Sequence, residues 1–100
     1  MNLQGANFQQ SRLIGCEFTG AILCEAEFNG TMLIKADLSN ASCEGANFYK
    51  ATLCGANLSN TKLRGANLSG SNLREVTGLT QAQISEAITD ARTELPDYLG

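Results

Sequence analysis

The side chains of this chain that could take part in chemistry are four cysteines and a small set of carboxylates. Cys16, Cys24, Cys43 and Cys54 could form disulfides in an oxidising compartment or ligate a metal. No two of them form a CxxC pair, and the sequence has no histidine to complete a metal site. We therefore expect four reduced thiols, with no metal and no cofactor.

The carboxylates are candidates for acid–base catalysis, which requires a positioned base or an activated nucleophile. Those that precede residue 76 are Glu17, Glu25, Glu27, Asp37, Glu44 and Glu75. The periodicity described next places all of them at outward or corner positions, where Glu17 and Asp37 stack on one face. We interpret these carboxylates as a solvated acidic face, and we therefore predict neither enzyme activity nor a small-molecule substrate.

A five-residue repeat begins at residue 1 and continues without a slip to residue 75. In each repeat unit the first residue is small, the second and fourth are usually polar, the third is large and apolar, and the fifth is often Gly or Asn. The third residues, which form the predicted core, are Leu3, Phe8, Leu13, Phe18, Leu23, Phe28, Leu33, Leu38, Cys43, Phe48, Leu53, Leu58, Leu63, Leu68 and Leu73.

A period of five fits neither standard secondary structure. Residues five apart point in different directions on an α-helix, and they lie on opposite faces of a straight strand. A chain that buries every fifth residue must therefore turn a corner in each unit, and Gly or Asn at the fifth position suits that bend. Repeated corners predict a solenoid in which each coil stacks on the previous one.

The units ANLSN, ANLSG, ADLSN and ANFYK resemble the A(D/N)LXX signature of the pentapeptide-repeat family, and the resemblance covers residues 1–75. It implies an all-β solenoid, a right-handed quadrilateral β-helix with four units per coil and about four coils. Residues twenty apart would then stack. On that arrangement Phe8, Phe28 and Phe48 form one ladder ending in Leu68, and Leu13, Leu33, Leu53 and Leu73 form the opposite wall.

Residues 76–100 are predicted to form a C-terminal helical cap, because Gly78 replaces the expected core residue and ends the repeat. Thr80 and Gln83 have the spacing of a capping box, and Leu79 and Ile84 that of a hydrophobic staple. We predict a helix over 81–89 with Ile84, Ala87 and Ile88 facing the last coil. A second short turn begins at Pro96 and carries Tyr98 and Leu99. The segment also resembles the terminal cap of small cyanobacterial members of the family.

No equivalent cap precedes the first coil, which leaves Leu3, Phe8, Leu13 and Phe18 beneath an open edge. A second copy could close this edge and give a homodimer; the alternatives are a frayed end on a monomer or a longer chain. The sequence has no apolar run long enough to span a membrane and does not begin like a signal peptide, so we expect a cytoplasmic protein.

Binding to a protein partner is the remaining functional class. Ile14, Met32, Ile34 and Cys54 form a candidate apolar interface at outward positions, with Ile22 and Cys24 expected on the adjoining wall. We predict a non-catalytic structural or protein-interaction module.

The alternative function is a DNA-mimicking modulator of a type II topoisomerase, which the family resemblance suggests. Residues 1–75 balance six carboxylates with six Lys and Arg side chains, so the rod lacks the negative charge of a duplex. The net charge of −3 comes from the last quarter of the chain. Nucleic-acid binding is not expected either, since no basic stripe is present.

Overall fold

The computed structural model describes residues 1–99, in which isolated parallel β-bridges join residues about twenty positions apart. The bridging residue is the second residue of each repeat unit. We call twenty consecutive residues a coil, and we number the bridge columns as sides in chain order. Side 1 joins Asn2, Ile22, Ser42 and Lys62; side 2 joins Asn7, Glu27, Asn47, Asn67 and Ile88; side 3 joins Arg12, Met32, Thr52, Asn72 and Glu94; side 4 joins Glu17, Asp37, Asn57 and Thr77.

Backbone hydrogen bonds between neighbouring coils follow one pattern, which side 1 illustrates. The N–H of Leu23 donates to the carbonyl of Ser42 at 2.7 Å, and the N–H of Ser42 donates to the carbonyl of Ala21 at 2.9 Å. The N–H of Glu25 donates to the carbonyl of Glu44 at 3.0 Å. Each corner is closed by a hydrogen bond from the first residue of a unit to the third residue of the preceding unit. An example is the bond from Ala26 N to Leu23 O at 3.0 Å. In the second coil, residues 21–40, these bonds pair the backbone N–H groups of the first, second, third and fifth residues of every unit.

The fifth residue of all fifteen units has a left-handed backbone, with φ between 57° and 72°. Glycine adopts this conformation without steric cost and asparagine with little. Seven of these fifteen positions nevertheless hold a residue other than glycine: Gln10, Glu25, Lys35, Asn40, Lys50, Asn60 and Glu75. The corner is therefore imposed by the coil and not only by local preference.

The interior is filled by the first and third residues of the units, which are almost completely buried from the second coil onward. Phe28 stacks on Phe8 with ring centroids 5.1 Å apart and on Phe48 at 4.9 Å. Phe18 of side 4 meets the Phe8 ring edge-on at 5.7 Å, so sides 2 and 4 face each other across the core. The prediction that the Leu13 column forms the wall opposite the phenylalanines is wrong; that column lies on an adjoining side.

Core residues of the first coil are less buried than their equivalents. Leu3, Phe8 and Leu13 are only partly buried, whereas Leu23, Phe28 and Leu33 in the next coil have no exposed surface. Within residues 1–99 the first coil has only one neighbouring coil, the second. Its apolar side chains are therefore less covered than those of coils that lie between two others.

Among the described residues 1–99 there is one α-helix, α1, which follows the repeats and spans Gln81–Glu86. The Gln83 N–H donates to Thr80 Oγ1 at 3.3 Å, and the Thr80 N–H donates to Gln83 Oε1 at 2.7 Å, which forms a capping box. Leu79 and Ile84 are buried, at 2% and 8% exposure. They pack with the hydrophobic core of the coils.

The helix is shorter than the predicted 81–89 because the chain resumes pairing with the coils at Glu86, whose carbonyl accepts from Gly65 N at 2.8 Å. Ile88 accepts a hydrogen bond from Leu68 N at 2.7 Å and donates one to Ala66 O at 2.8 Å, in the manner of an outward second residue. Its side chain is 53% exposed, so the prediction that Ile88 faces the last coil is wrong. Ala87 is partly buried against the core.

The chain then makes the turn at Pro96, where Leu99 N donates to Pro96 O at 3.0 Å. The Tyr98 hydroxyl donates to Val76 O at 3.2 Å and accepts from Leu79 N at 3.1 Å, although its ring is 57% exposed. These bonds connect Tyr98 to Val76 and Leu79, which lie at the start of the segment that follows the repeats. Gly100, the last residue of the predicted cap, lies outside the described residues.

Replacing Gly78 by alanine should destabilise the protein more than the same change at Gly65. Both glycines have left-handed φ values, 76° and 70°, so both variants carry the same conformational cost. A Cβ on Gly78 would also lie 2.7 Å from Ser59 Cα, whereas at Gly65 the nearest atom is 3.9 Å away. We expect Gly78→Ala to lower the free energy of unfolding by about 2 kcal/mol more than Gly65→Ala in urea denaturation. Equal losses would contradict this close approach.

Gln83 should hold the C-terminal segment to the coils. Its Nε2 donates to Leu58 O at 2.9 Å and to Thr61 O at 2.8 Å, in addition to the capping box. We expect Gln83→Ala to lower the free energy of unfolding by about 2–3 kcal/mol, because two carbonyls lose their donor. Gln81→Ala, which alters an exposed side chain of the same helix, should change it by less than about 0.5 kcal/mol. The same urea midpoint for both variants would rule out this role.

Candidate interaction surface

The acidic residues of side 4 are part of the backbone architecture. Glu17 and Asp37 are bridge partners at outward second positions. Asp37 Oδ1 accepts hydrogen bonds from the Ser39 hydroxyl at 2.6 Å and from the Ser39 N–H at 2.9 Å. These donors lower the pKa of the Asp37 carboxyl. A carboxylate that is held ionised and committed to a local turn is unsuited to accept a substrate proton near neutral pH.

Asparagine at other second positions makes the same local hydrogen bond. The Oδ1 atoms of Asn47 and Asn57 accept from the N–H two residues later, both at 3.0 Å. The side chain thus satisfies the fourth amide, which has no partner in the coil pattern. The sequence shows the frequent Asn but gives no reason for it, and the structure supplies that reason.

The cysteine thiols are all free. Burial raises the pKa of Cys43 to about 12. Burial also raises the pKa of Cys24, helped by the thiol's 3.5 Å hydrogen bond to Glu44 Oε1. Thiolate formation is therefore disfavoured at both positions, which makes them poor nucleophiles and poor metal ligands. Within residues 1–99, no group of three or more His, Cys, Asp or Glu side chains is arranged to hold a metal ion.

Side 1 carries a charged surface next to the C-terminal segment. Glu44, Lys62, Arg64 and Glu86 surround a shallow depression there. Arg64 Nη2 lies 3.9 Å from Glu86 Oε2, but the two side chains are 81% and 53% exposed. An ion pair so open to water contributes little to stability, and the two charge signs balance within the depression.

The predicted apolar interface lies on side 3. Backbone hydrogen bonds of 2.9 Å, from Gly15 N to Ile34 O and from Lys35 N to Cys54 O, hold Ile14, Ile34 and Cys54 in register. Ile14 is 52% exposed, while Ile34, Cys54 and the neighbouring Met32 are partly buried. We call these four residues, Ile14, Met32, Ile34 and Cys54, the apolar strip.

Ile22 and Cys24 do not extend the apolar strip. They belong to side 1, which is two sides away and therefore on the opposite face of the coil. The prediction that they occupy an adjoining wall is wrong. Ile22 is 40% exposed and stands between Asn2 and Ser42 in its column.

No helix within residues 1–99 has the length and apolar character needed to cross a membrane.

Comparisons with known proteins agree with the repeat architecture. The family model described as pentapeptide repeats matches residues 2–40 and 41–77. No curated protein sequence matches the chain significantly. A pentapeptide repeat protein from the thylakoid lumen of Arabidopsis thaliana superposes with a TM-score of 0.77 at 28% identity, over 96% of this chain and 60% of that one.

Two further solved structures share the fold. The pentapeptide repeat protein Rfr23 from the cyanobacterium Cyanothece is 36% identical with a TM-score of 0.60, over 94% of this chain and 60% of that one. QnrB1, a plasmid-mediated fluoroquinolone resistance protein, superposes with a TM-score of 0.51 at 21% identity, over 98% of this chain and 59% of that one. This chain therefore spans about three fifths of the length of these structures. The family model, the repeat register and the solenoid fold together place this chain in the pentapeptide repeat family.

Proposed function

We propose that this chain is a non-catalytic protein-interaction module that binds a protein partner through the apolar strip of side 3. The observation that carries the proposal is the run of apolar residues at outward positions that are polar in most other units. An apolar patch on an otherwise polar surface is typical of a binding site. The strip lies on one side of the rod, so a partner could contact all four of its residues at once.

The absence of catalysis is part of the proposal and is supported by how the chemical groups are used. Members of this family are generally non-catalytic structural modules. Here Asp37 is engaged by Ser39, and Cys43 is buried with a pKa of about 12. The interior is occupied by Leu, Phe and Ala side chains. Outward residues are the part of this architecture that can vary without disturbing the core.

We further propose that residues 1–75 form a right-handed quadrilateral β-helix of about four coils and that the following segment acts as its C-terminal cap. Four bridge columns with a twenty-residue period support the quadrilateral arrangement. Leu79 and Ile84 join the hydrophobic core of the coils, and Gln83 donates to the carbonyls of Leu58 and Thr61; both observations support the capping role.

Exchanging apolar for polar side chains on the strip should weaken partner binding. We expect Ile14→Thr combined with Ile34→Thr to reduce the affinity for a purified partner at least about tenfold, because apolar contacts at the centre of an interface are lost. Threonine keeps the β-branched shape, so the fold should be retained. The matched control is Ile22→Thr on the opposite face, which should bind like the natural sequence.

The measurement begins with affinity capture using the natural protein and both variants, followed by calorimetric titration of any captured protein. A partner that binds both variants equally would remove the strip as the binding site. Circular dichroism and the urea midpoint of each variant show whether the fold survives the substitution.

Modulation of a type II topoisomerase by duplex mimicry has no support from the charge distribution. Residues 1–75 carry as many cationic as anionic side chains, while a duplex carries about one negative charge per 1.7 Å. We expect no change in DNA supercoiling by purified gyrase when the protein is added in excess. Inhibition that persists at moderate salt would contradict this expectation and favour the mimicry alternative.

A further inference from the structure

The outward surface of side 3 differs in charge from the other sides of the rod. Over residues 1–60, the units of side 3 carry Arg12 and Lys35 and no carboxylate. In the same coils, side 4 carries Glu17 and Asp37 without a Lys or Arg, and the charged side chains of side 1 are likewise all carboxylates. Side 2 carries one charge of each sign. Side 3 is therefore the cationic side of the first three coils.

The cations of side 3 border the apolar strip. Arg12 and Lys35 each lie within two residues of an isoleucine of the strip, and Arg74 occupies the position one coil beyond its last residue. The carboxylates of side 3, Glu75 and Glu94, lie at that same end. In the part of the chain that the structure describes, none of these three cations forms a salt bridge. Their charge is thus available to a partner.

The backbone of the strip also has unused hydrogen-bond donors. In units with Asn or Asp at the second position, that side chain accepts from the N–H of the fourth residue, as Asn72 Oδ1 does from Arg74 N at 3.0 Å. The earlier second residues of side 3 are arginine, methionine and threonine. Among the described residues, the N–H groups of Ile14, Ile34 and Cys54 accordingly have no partner. An outward asparagine can reach the equivalent N–H, so these three groups face outward.

We infer that the segment bound by the apolar strip is an acidic amphipathic helix of a second protein. This inference rests on the proposed function of the strip and specifies its partner. The apolar residues of the helix pack on Ile14 and Ile34. Its carboxylates pair with Arg12 and Lys35 and accept hydrogen bonds from the free N–H groups, in the place that an asparagine oxygen has in other units.

The spacing of the strip favours a helix that runs along the rod. Equivalent groups of neighbouring coils lie about 4.8 Å apart. Side chains one turn apart on an α-helix are separated by about 5.4 Å along its axis, whereas residues on one face of an extended strand are about 6.6 Å apart. Met32 N and Leu33 N are already paired with neighbouring coils, at 2.9 and 2.7 Å, so the face of side 3 offers no edge for an added strand. A helix satisfies its own backbone and binds through its side chains.

The same surface is poorly suited to an anionic membrane. Interfacial membrane binding relies on Trp, Phe or Leu side chains that enter the boundary of the acyl chains. The second and fourth positions of side 3 hold no aromatic residue and no leucine, and Met32, Ile34 and Cys54 are partly buried. Such side chains can contact the surface of a helix but do not protrude into a bilayer. A protein helix therefore fits the strip better than a lipid surface.

Synthetic helices test the partner chemistry with the full chain. The probe carries leucine and glutamate, each recurring once per turn, and its two controls carry glutamine or lysine in place of glutamate. In fluorescence anisotropy we expect the acidic helix to bind at least about tenfold more tightly than the glutamine helix, and the lysine helix to bind more weakly still, because like charges repel.

Equal affinity for the three helices would overturn the acidic preference, and binding of none would overturn the inferred partner. The variant Ile14→Thr/Ile34→Thr separates this failure from failure of the proposed function. If that variant loses a charge-independent binding, the strip remains the site and the acidic partner is wrong. If it binds the acidic helix as the natural protein does, the strip itself is wrong.

A pair of substitutions at Thr52 isolates the contribution of a free N–H. Thr52→Asn supplies an acceptor for Cys54 N, as Asn72 does in the next coil, whereas the side chain of Thr52→Gln is one methylene too long for this turn. Both variants keep the charge of side 3. We expect Thr52→Asn to weaken binding of the acidic helix at least about fivefold and Thr52→Gln by less than about twofold. Equal effects would overturn the role of the N–H groups.

Charge reversal and vesicles complete the test. Lys35→Glu should weaken binding of the acidic helix at least about tenfold and strengthen binding of the lysine helix, while Lys62→Glu on the opposite side should change neither by more than about twofold. Glu25 and Glu75 adopt the same left-handed corner as Lys35, so the fold should be retained. Equal effects of the two reversals would overturn the contact with side 3. Cosedimentation with phosphatidylserine–phosphatidylcholine vesicles that the acidic helix does not compete away would overturn the protein partner in favour of a membrane.

Discussion

The pairing of each backbone segment with the segment about twenty residues further on is the constraint on which the rest of the structure depends. It requires a corner in every five-residue unit, and each corner requires a left-handed fifth residue. Lys35 and Glu25 adopt that conformation with φ of 60°, although it costs an L residue about 1–2 kcal/mol. The hydrogen bonds and apolar contacts to neighbouring coils offset this cost. The pairing between coils therefore stabilises the same left-handed corners that this pairing requires.

The inward residues could be predicted from the sequence because their pattern has a direct physical cause. A large residue at the third position and a small one at the first are what a narrow interior can hold, and Leu23, Phe28 and Leu33 are fully buried. The arrangement of the sides could not be derived in the same way. A period of five gives the order of the units but not the number of units in a coil. Once four units per coil are fixed, consecutive units lie on adjoining sides and alternate units on opposite sides. The predicted positions of Ile22 and of the Leu13 column are wrong because they do not follow this order.

The C-terminal segment shows how tertiary pairing overrides a local helical pattern. The apolar spacing of Ile84 and Ile88 favours one continuous helix, but the open carbonyl and amide groups of the last coil compete for the same residues. Thr93 Oγ1 donates to Leu68 O at 2.8 Å, as Thr61 Oγ1 does to Leu38 O at 2.7 Å. After α1, the chain thus repeats the contacts of a coil without the sequence of one. No motif in the sequence signals this imitation.

The same division between inward and outward positions explains why the fold is easier to predict than the function. Inward residues answer to packing, which is the same in every coil, whereas outward residues such as Ile34 and Tyr49 have no role in holding the coils together. In a solenoid, packing therefore fixes the inward residues, and specificity for a partner depends on a few outward ones.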